Sequence, residues 1–256
     1  IRYAKIIWYI CVGKPIRTVQ PKMNMEIQDV AAHPCPYGWG EYKIYFMMRK
    51  FIFCFLAFSA LLMSGCKEKK TVLFNGKDFD GWVLYVSPDE GVPATDVFRV
   101  SDGRIVVSGR PFGYMRTEKK YRDYILHAEW RWIGASTNSG LFQRIQEGDK
   151  LWPSLMEVQL QGGHAGDILG LGGTVLQGVG EKLPGLYYKD RTSTENPENP
   201  DGEWNVAEVE VRGTHVKAWV NGKLQNEADG EFTEGYIALQ SEGGPLEFRN
   251  VYIIEK

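Results

Sequence analysis

Short runs of alternating apolar and polar residues follow residue 71, and turn residues separate them. Tyr124 to Trp132 is the longest run. Every second residue from Tyr124 is apolar or aromatic, whereas His127, Glu129 and Arg131 lie between them. Successive side chains of a β-strand point to opposite faces of its sheet. The pattern predicts a strand with one face in the core and the other toward solvent or a ligand.

The segment from Leu155 to Gln161 repeats this alternation more sharply. Its apolar residues are Met156, Val158 and Leu160, and the polar residues between them are Glu157, Gln159 and Gln161. We predict a second strand here, with its carboxyl and amide groups on the face away from the core.

Turn signals divide the rest of the chain into short strands. Asp102-Gly103 and Asn221-Gly222 each lie between β-forming residues, as in tight hairpins. No long amphipathic helix is found. Many short strands of this kind predict a single all-β domain over residues 71–256, built as a sandwich or jelly roll. The Gly- and Pro-rich stretch from Gly162 to Pro200 is expected to be a long irregular loop, and such loops are often functional.

An export signal precedes this domain. Met48-Arg49-Lys50 is followed by an apolar run and then by Met63-Ser64-Gly65-Cys66. A basic start, a short apolar stretch and a small-residue junction are typical of a signal peptide. Small residues ending in cysteine resemble the bacterial lipobox, so we expect residues 48–66 to be a lipoprotein signal and Cys66 to be acylated. A plain signal peptide or a membrane anchor is the alternative.

Residues 1–47 fit neither the signal nor the domain. They show no sustained period and precede a good start at Met48. We expect an upstream extension of the reading frame or a disordered leader. The localisation that follows is the cell envelope, with a lipid anchor on the periplasmic or surface face of the outer membrane.

The charge distribution and the positions of the cysteines exclude several classes of function. The formal net charge is −2, but residues 1–66 hold eight of the 30 Lys and Arg and only three of the 32 Asp and Glu. The predicted domain is therefore acidic, which argues against a nucleic-acid partner. The four cysteines of the chain all lie at or before Cys66, so the predicted domain has no disulfide, thiolate metal site or cysteine nucleophile.

Several of these segments, in order along residues 71–256, resemble the 3-keto-disaccharide hydrolase domain family. They begin with the ten residues from Leu73 to Trp82, LFNGKDFDGW. The others are Phe98–Gly103, Tyr121–Tyr124, Glu129–Arg131, Asn138–Gly140 with Arg144, Met156–Gln159, Gly202–Asn205, Val220–Gly222, Leu239–Gln240 and Phe248–Asn250.

The resemblance implies a concanavalin-like jelly roll and, in some members, cleavage of glycosides oxidised at sugar C3. This chain departs from the family's sequence pattern at two places, so the resemblance does not identify the substrate. The family commonly has an acidic residue soon after the Glu-x-Gln strand, where this chain has Gln161-Gly162-Gly163-His164. The following stretch, residues 166–180, is rich in glycine and hard to align.

The polar strand faces supply the candidate site. We predict Glu157 as a catalytic group, with a sugar bound by polar side chains around it. The predicted binding residues are Gln159, Gln161, Glu129, Arg131 and Asn138. The alternative is a solvated outer face, and for Glu129 and Arg131 an internal ion pair.

Hydrolysis of an ordinary glycoside uses two carboxyl groups, and beside Glu157 only Glu129 or Asp167 is a candidate for the second. A C3 ketone changes this requirement because it acidifies the C2 hydrogen. One base, Glu157 or His164, could then expel the C1 substituent by elimination. Arg144 or a divalent cation could hold the enolate oxygen, although the sequence has no metal-ligand spacing.

Aromatic residues beside the loops are candidates for stacking on sugar rings, above all Trp152 next to Pro153. We therefore predict a carbohydrate-cleaving enzyme that is lipid-anchored in the envelope. The competing hypothesis is a non-catalytic carbohydrate-binding lipoprotein, because a fold does not determine a function.

Overall fold

The computed structural model describes residues 68–146 and 148–256, and β-strands dominate them. The one α-helix in this part of the chain, α1, is the single turn Ala94–Val97. The strands are β1 (Lys69–Val72), β2 (Trp82–Val86), β3 (Phe98–Ser101), β4 (Arg104–Val107), β5 (Gly113–Thr117), β6 (Tyr124–Trp132), β7 (Gly140–Ile145), β8 (Leu155–Gln159), β9 (Ile168–Leu171), β10 (Glu181–Leu183), β11 (Leu186–Lys189), β12 (Asn205–Arg212), β13 (His215–Val220), β14 (Lys223–Asp229), β15 (Tyr236–Ser241) and β16 (Leu246–Glu255).

Two antiparallel sheets of eight strands each form a jelly-roll sandwich. The first sheet has the order β14-β13-β12-β6-β16-β4-β3, and β1 also pairs with β16. The second sheet has the order β10-β11-β9-β8-β7-β15-β5-β2. The prediction of one all-β jelly-roll domain is confirmed.

The core lies between the two sheets and follows the predicted alternation. On β6, every second residue from Tyr124 to Trp132 is buried, and the residues between them are partly exposed. On β8, Met156 and Val158 point into the same core. The outer face of each sheet is the face turned away from this core.

The predicted hairpin turns are present. Asp102-Gly103 joins β3 to β4 and Asn221-Gly222 joins β13 to β14, and all four residues have positive φ. Two consecutive residues with positive φ are the requirement of the tight hairpin turn that matches the strand twist.

The stretch from Gly162 to Pro200 is not one irregular loop. It contains β9, β10 and β11, which extend the second sheet beyond β8. These strands are three or four residues long, and β9 contains Gly170, whose absent Cβ would lie 2.1 Å from the Thr174 carbonyl oxygen. Strands so short, with glycine where an apolar residue is expected, carry no readable alternation.

The predicted leader, the signal peptide and Cys66 lie outside the described residues. Within residues 68–146 and 148–256, no helix is long and apolar enough to cross a membrane.

Candidate functional site

Glu157 lies on the outer face of the second sheet, as its position in β8 predicts. Its carboxyl group leans over Gly140 of the neighbouring strand β7, which pairs with Gln159. Glu157 therefore lies on the predicted face of the sheet. Its carboxyl group is not accessible to solvent as expected, because Glu157 is only 2% exposed. The absence of a side chain at Gly140 provides the space in which the carboxyl group lies against the sheet.

The environment of Glu157 favours its protonated form. Burial raises the pKa of Glu157 well above its ordinary value, and the negative charge of Glu242 adds to the effect. Glu157 Oε1 is buried and has no hydrogen-bond partner among the described residues. Buried polar atoms are nearly always paired, and an unpaired one is often explained by a functional role.

Two more unpaired acceptors belong to residues beside Glu242. Gln240 Nε2 donates to Glu242 Oε2 at 2.7 Å, whereas Gln240 Oε1 is buried without a partner in the described part of the chain. Asn138 Oδ1 is unpaired in the same way. Burial raises the pKa of Glu242, and hydrogen bonds from Asn138 and Gln240 oppose this. Carbonyl and carboxylate oxygens of this kind accept hydrogen bonds from sugar hydroxyls.

Of these acceptors, Gln240 is brought close to Glu157 by the strand register. Leu239 of β15 pairs with Leu141 of β7, so the next residues, Gln240 and Gly140, also lie side by side. Gln240, Gly140 and Gln159 therefore form one row across three strands, and the Glu157 carboxyl group covers the middle of that row.

His164 and Asp167 form a pair at the end of β8. His164 Nδ1 lies 3.2 Å from Asp167 Oδ2, and the His164 side chain is half exposed, whereas Asp167 is buried. The Tyr188 hydroxyl donates to Asp167 Oδ2 at 2.5 Å, and the backbone N–H of Arg191 donates to Oδ1 at 2.7 Å. Asp167 is thus fixed in place and can orient the His164 imidazole. With Nδ1 directed at Asp167, the Nε2 atom of His164 is left to face solvent or a ligand.

A second buried carboxylate holds the turn that carries His164. Glu198 Oε1 accepts hydrogen bonds from the backbone N–H groups of Gly163 and Ala165, at 3.0 and 3.3 Å. Burial raises the pKa of Glu198, and these bonds together with the charges of Arg191 and His164 oppose the rise. The flanks of His164 are therefore anchored although its ring is exposed.

Tyr188 connects the two parts of this surface. Its strand neighbour Leu169 pairs with Glu157, so Tyr188 lies two strands from Glu157 in the same row. Burial raises the pKa of Tyr188, as do its hydrogen bond to Asp167 and the nearby charges of Asp167, Asp190 and Glu157.

The two predicted glutamines differ in burial. Gln159 Oε1 accepts the backbone N–H groups of Leu160 and Gln161, both at 3.0 Å. This leaves the Gln159 amide nitrogen as the end that can donate to a ligand. Gln161 is exposed beyond the end of β8.

Arg144 is not brought to Glu157, contrary to its predicted role at the enolate oxygen. Its backbone has φ of +60° at an irregularity in the β7–β15 pairing. Its guanidinium is buried and donates to the carbonyl oxygens of Tyr121 and Gly213, at 2.8 and 2.7 Å. Gly213 belongs to the β12–β13 turn of the first sheet, so these contacts hold Arg144 there.

Glu129 and Arg131 lie on the outer face of the first sheet, and the core separates them from Glu157. Glu129 pairs with Arg249 at 2.6 Å, and Arg131 pairs with Glu247 at 2.5 Å. The prediction that they share one sugar site with Glu157 is wrong. β6 and β8 have the same alternation, and a pattern of period two does not tell which sheet a strand joins.

Trp152 lies in the connection between β7 and β8. It is 39% exposed and makes an edge contact with Phe112, with ring centroids 6.4 Å apart. It borders a pocket of about 370 Å³. The described residues contain no group of three or more His, Cys, Asp or Glu side chains that could hold a metal ion.

Glu242 is the site residue that the sequence interpretation missed. It follows β15, two residues after Gln240, and so continues the outer-face positions of that strand. The signal was available in the alternation of residues 236, 238, 240 and 242. It was weak because Ala238 is apolar and buried.

Comparisons with known proteins agree with this architecture. The family model for the 3-keto-alpha-glucoside-1,2-lyase-like domain matches residues 69–254. No curated protein sequence matches the chain. A solved structure of a candidate glycosyl hydrolase from Parabacteroides distasonis ATCC 8503 is 24% identical, with a TM-score of 0.54, and the match covers 73% of this chain and 94% of that one.

Two further solved structures share the fold at lower identity. A second candidate glycosyl hydrolase from Parabacteroides distasonis ATCC 8503 is 20% identical, with a TM-score of 0.54 and coverage of 73% of this chain and 100% of that one. The β-glucanase of Bacillus licheniformis is 13% identical, with a TM-score of 0.50 and coverage of 75% and 100%. At these identities the likeness is one of fold.

Proposed function

Because the chain belongs to the 3-keto-alpha-glucoside-1,2-lyase-like domain family, we propose that it cleaves the glycosidic bond of sugars that carry a ketone at C3. The observation that carries the proposal is the buried, unpaired carboxylate oxygen of Glu157. It lies in a row of amide groups that suit sugar hydroxyls, and its raised pKa makes the ionised form a stronger base.

The reaction is an elimination followed by hydration. The Glu157 carboxylate takes the C2 proton, which the adjacent ketone acidifies, and the electron pair forms a C1–C2 double bond. The C1–O bond breaks, and its electron pair leaves with the aglycone oxygen, which gains a proton. Water then adds its hydroxyl to C1 and its proton to C2, so the net reaction is hydrolysis.

Other residues supply the remaining groups. His164 is the proton donor to the leaving oxygen, and Asp167, 3.2 Å from its Nδ1, is the residue that positions the ring. The free amide nitrogen of Gln159 donates to a substrate oxygen. Gln240 Oε1 and Asn138 Oδ1 accept from hydroxyls. One carboxylate then suffices where ordinary hydrolysis needs two.

Contact between a sugar and Glu157 requires a side chain to move, because Glu157 is only 2% exposed. Tyr188 and Glu242 interact electrostatically with it. Tyr188 is partly exposed and belongs to the short strand β11, next to the edge strand β10, which makes it the side chain best suited to move.

The test is product analysis with a 3-keto-α-disaccharide and its unoxidised parent in deuterated water. Elimination and hydration place deuterium at C2 of the released keto sugar, above the level of a control without enzyme. E157Q should abolish turnover, whereas E129Q, which changes a carboxylate on the opposite sheet, should retain it. Full activity of E157Q would overturn the assignment, and cleavage of the parent sugar would indicate two-carboxyl hydrolysis by Glu157 and Glu242 instead.

A non-catalytic carbohydrate-binding module is the second candidate, and the enclosure of Glu157 favours it. The exposed surface at His164 and Gln161 would then bind sugar without reaction. Saturable binding of the keto sugar with no product, with or without added divalent cations, would decide for the module.

We also propose that Cys66 carries a lipid that anchors the protein in the cell envelope. The sequence from Met48 to Cys66 supports this with its basic start, apolar run and small-residue junction. Incorporation of radiolabelled palmitate in bacteria expressing the full chain, lost in C66S, would test it. Equal labelling of C66S would refute it.

A further inference from the structure

The outer face of the second sheet changes from polar to apolar along β8, and Glu157 lies at the change. Gln159 and its hydrogen-bonded neighbour Asp167 are at the polar end. Leu155, at the opposite end of β8, packs in an apolar cluster with side chains of β7. Leu171 of β9 pairs with Leu155 and extends that cluster.

A pocket of about 370 Å³ opens at the apolar end. It is lined by the side chains of Trp152, Leu171, Pro184 and Leu186 and by three glycines. Among the described residues, none that lines it carries a charged, amide or hydroxyl side chain. Its volume is within the range of ligand sites in proteins.

Backbone contacts shape the wall of this pocket. A Cβ at Gly172 would lie 2.4 Å from the Pro153 carbonyl oxygen, so the chain segments there meet backbone to backbone. Ser154 Oγ donates to the Gly172 carbonyl oxygen at 2.9 Å, and Gly173 N–H donates to Gly185 at 3.2 Å. These backbone contacts hold the wall of the pocket together.

We propose that this pocket binds an apolar or aromatic aglycone, so that aryl and alkyl glycosides are better substrates than disaccharides. The inference rests on the proposed function, because it assigns the leaving-group side of that site. Leu155 precedes Glu157 by two residues, about 7 Å along the strand. A sugar ring over Glu157 can therefore direct its C1 substituent along β8 into the pocket.

The chemistry of the wall favours an apolar aglycone over a second sugar. A sugar ring would bring several hydroxyls against side chains whose one hydrogen-bonding group is the indole N–H of Trp152, and each hydroxyl buried without a partner is costly. An aryl group has no hydroxyls that need hydrogen bonds, and burial of its apolar surface against Trp152 stabilises the complex. A phenol, with a pKa near that of tyrosine at about 10, also leaves more readily than a sugar alcohol. The phenol oxygen keeps the electron pair of the broken C1–O bond and takes up one proton.

The experiment compares phenyl 3-keto-α-glucoside with glyceryl 3-keto-α-glucoside, which share the sugar and differ in the aglycone. The intact protein should prefer the phenyl compound in kcat/KM. W152A should reduce that preference at least about tenfold, mainly through KM. W219A, which removes a partly exposed tryptophan on the first sheet, is the matched control and should keep the preference.

A second variant and a binding measurement separate the possible failures. L186S places a hydroxyl in the wall and should also reduce the preference. Calorimetric titration with the phenyl compound should show weaker binding to W152A than to the unmodified protein. If both substrates are cleaved with no preference, the pocket inference fails and the proposed function stands. If neither is cleaved, the proposed function fails, and unchanged binding by W152A would overturn the pocket inference by itself.

Discussion

The carboxyl group of Glu157 occupies the space directly above Gly140, where any side chain at residue 140 would lie. A Cβ at this position would be 2.0 Å from Glu157 Oε1 and 2.7 Å from the carboxyl carbon. The candidate site is therefore built into the strands of the second sheet, and a strand glycine is part of it. Glycine in a strand interior often marks such a close approach.

This relationship predicts that G140A displaces Glu157. We expect a loss of about 1–3 kcal/mol in the free energy of unfolding, the usual effect of overpacking, together with a loss of turnover. Urea unfolding and the 3-keto-disaccharide assay measure the two effects. Gly180 is the control, because a Cβ there meets nothing within 4 Å. Equal stability and activity of G140A and G180A would contradict the placement of the carboxyl group.

The raised pKa of Glu157 predicts a particular dependence of stability on pH. The folded protein keeps the Glu157 proton at pH values where the unfolded chain, with a pKa near 4.5, has lost it. The folded state then binds more protons, so the free energy of unfolding falls as pH rises from about 4.5 through the raised pKa. The contribution of Glu157 to this fall is about 1.4 kcal/mol per pH unit within that window.

E157Q removes this titration, so its stability should exceed that of the unmodified protein by a margin that grows with pH. Urea unfolding at pH values from about 5 to about 8 measures the margin. E129Q, with an ion-paired carboxylate whose pKa is lowered, should show no such growth. A constant difference between E157Q and the unmodified protein would mean that Glu157 is ionised in the folded state.

The fold was readable from the sequence because its signals are local. The alternation on β6 and the turns at Asp102-Gly103 and Asn221-Gly222 depend only on neighbouring residues. Which residues surround Glu157 depends on the register between strands and on the sheet that each strand joins. An alternation of period two specifies neither of these. This is why Glu129 was grouped with Glu157 and Glu242 was not.

The His164–Asp167 pair predicts a positioning role for Asp167. D167N should lower kcat at least about tenfold and shift the limb of the pH–rate profile assigned to His164, since general acids contribute about 10²–10⁴-fold. The first sheet holds a comparable pair, His215 Nδ1 and Asp229 Oδ1, at 3.1 Å. D229N should therefore leave both the rate and the profile unchanged. A fall in rate for D167N without any change in the pH profile would mean that Asp167 only supports the fold.

The contacts of Arg144 predict a structural role, separable from catalysis. Its guanidinium satisfies the carbonyl oxygens of Tyr121 and Gly213 in a buried position. R144M keeps much of the side-chain volume but leaves both carbonyls unpaired, and each unsatisfied buried group costs about 1–3 kcal/mol. We expect the free energy of unfolding of R144M, measured with urea, to fall by about 2 kcal/mol or more, while kcat/KM per folded molecule stays within about twofold.

The control is R122M, because Arg122 is exposed and its ion pair with Glu234 at 3.4 Å contributes at most about 1 kcal/mol. If R144M instead kept its stability and lost turnover, Arg144 would return to the catalytic role at the enolate oxygen that the sequence suggested.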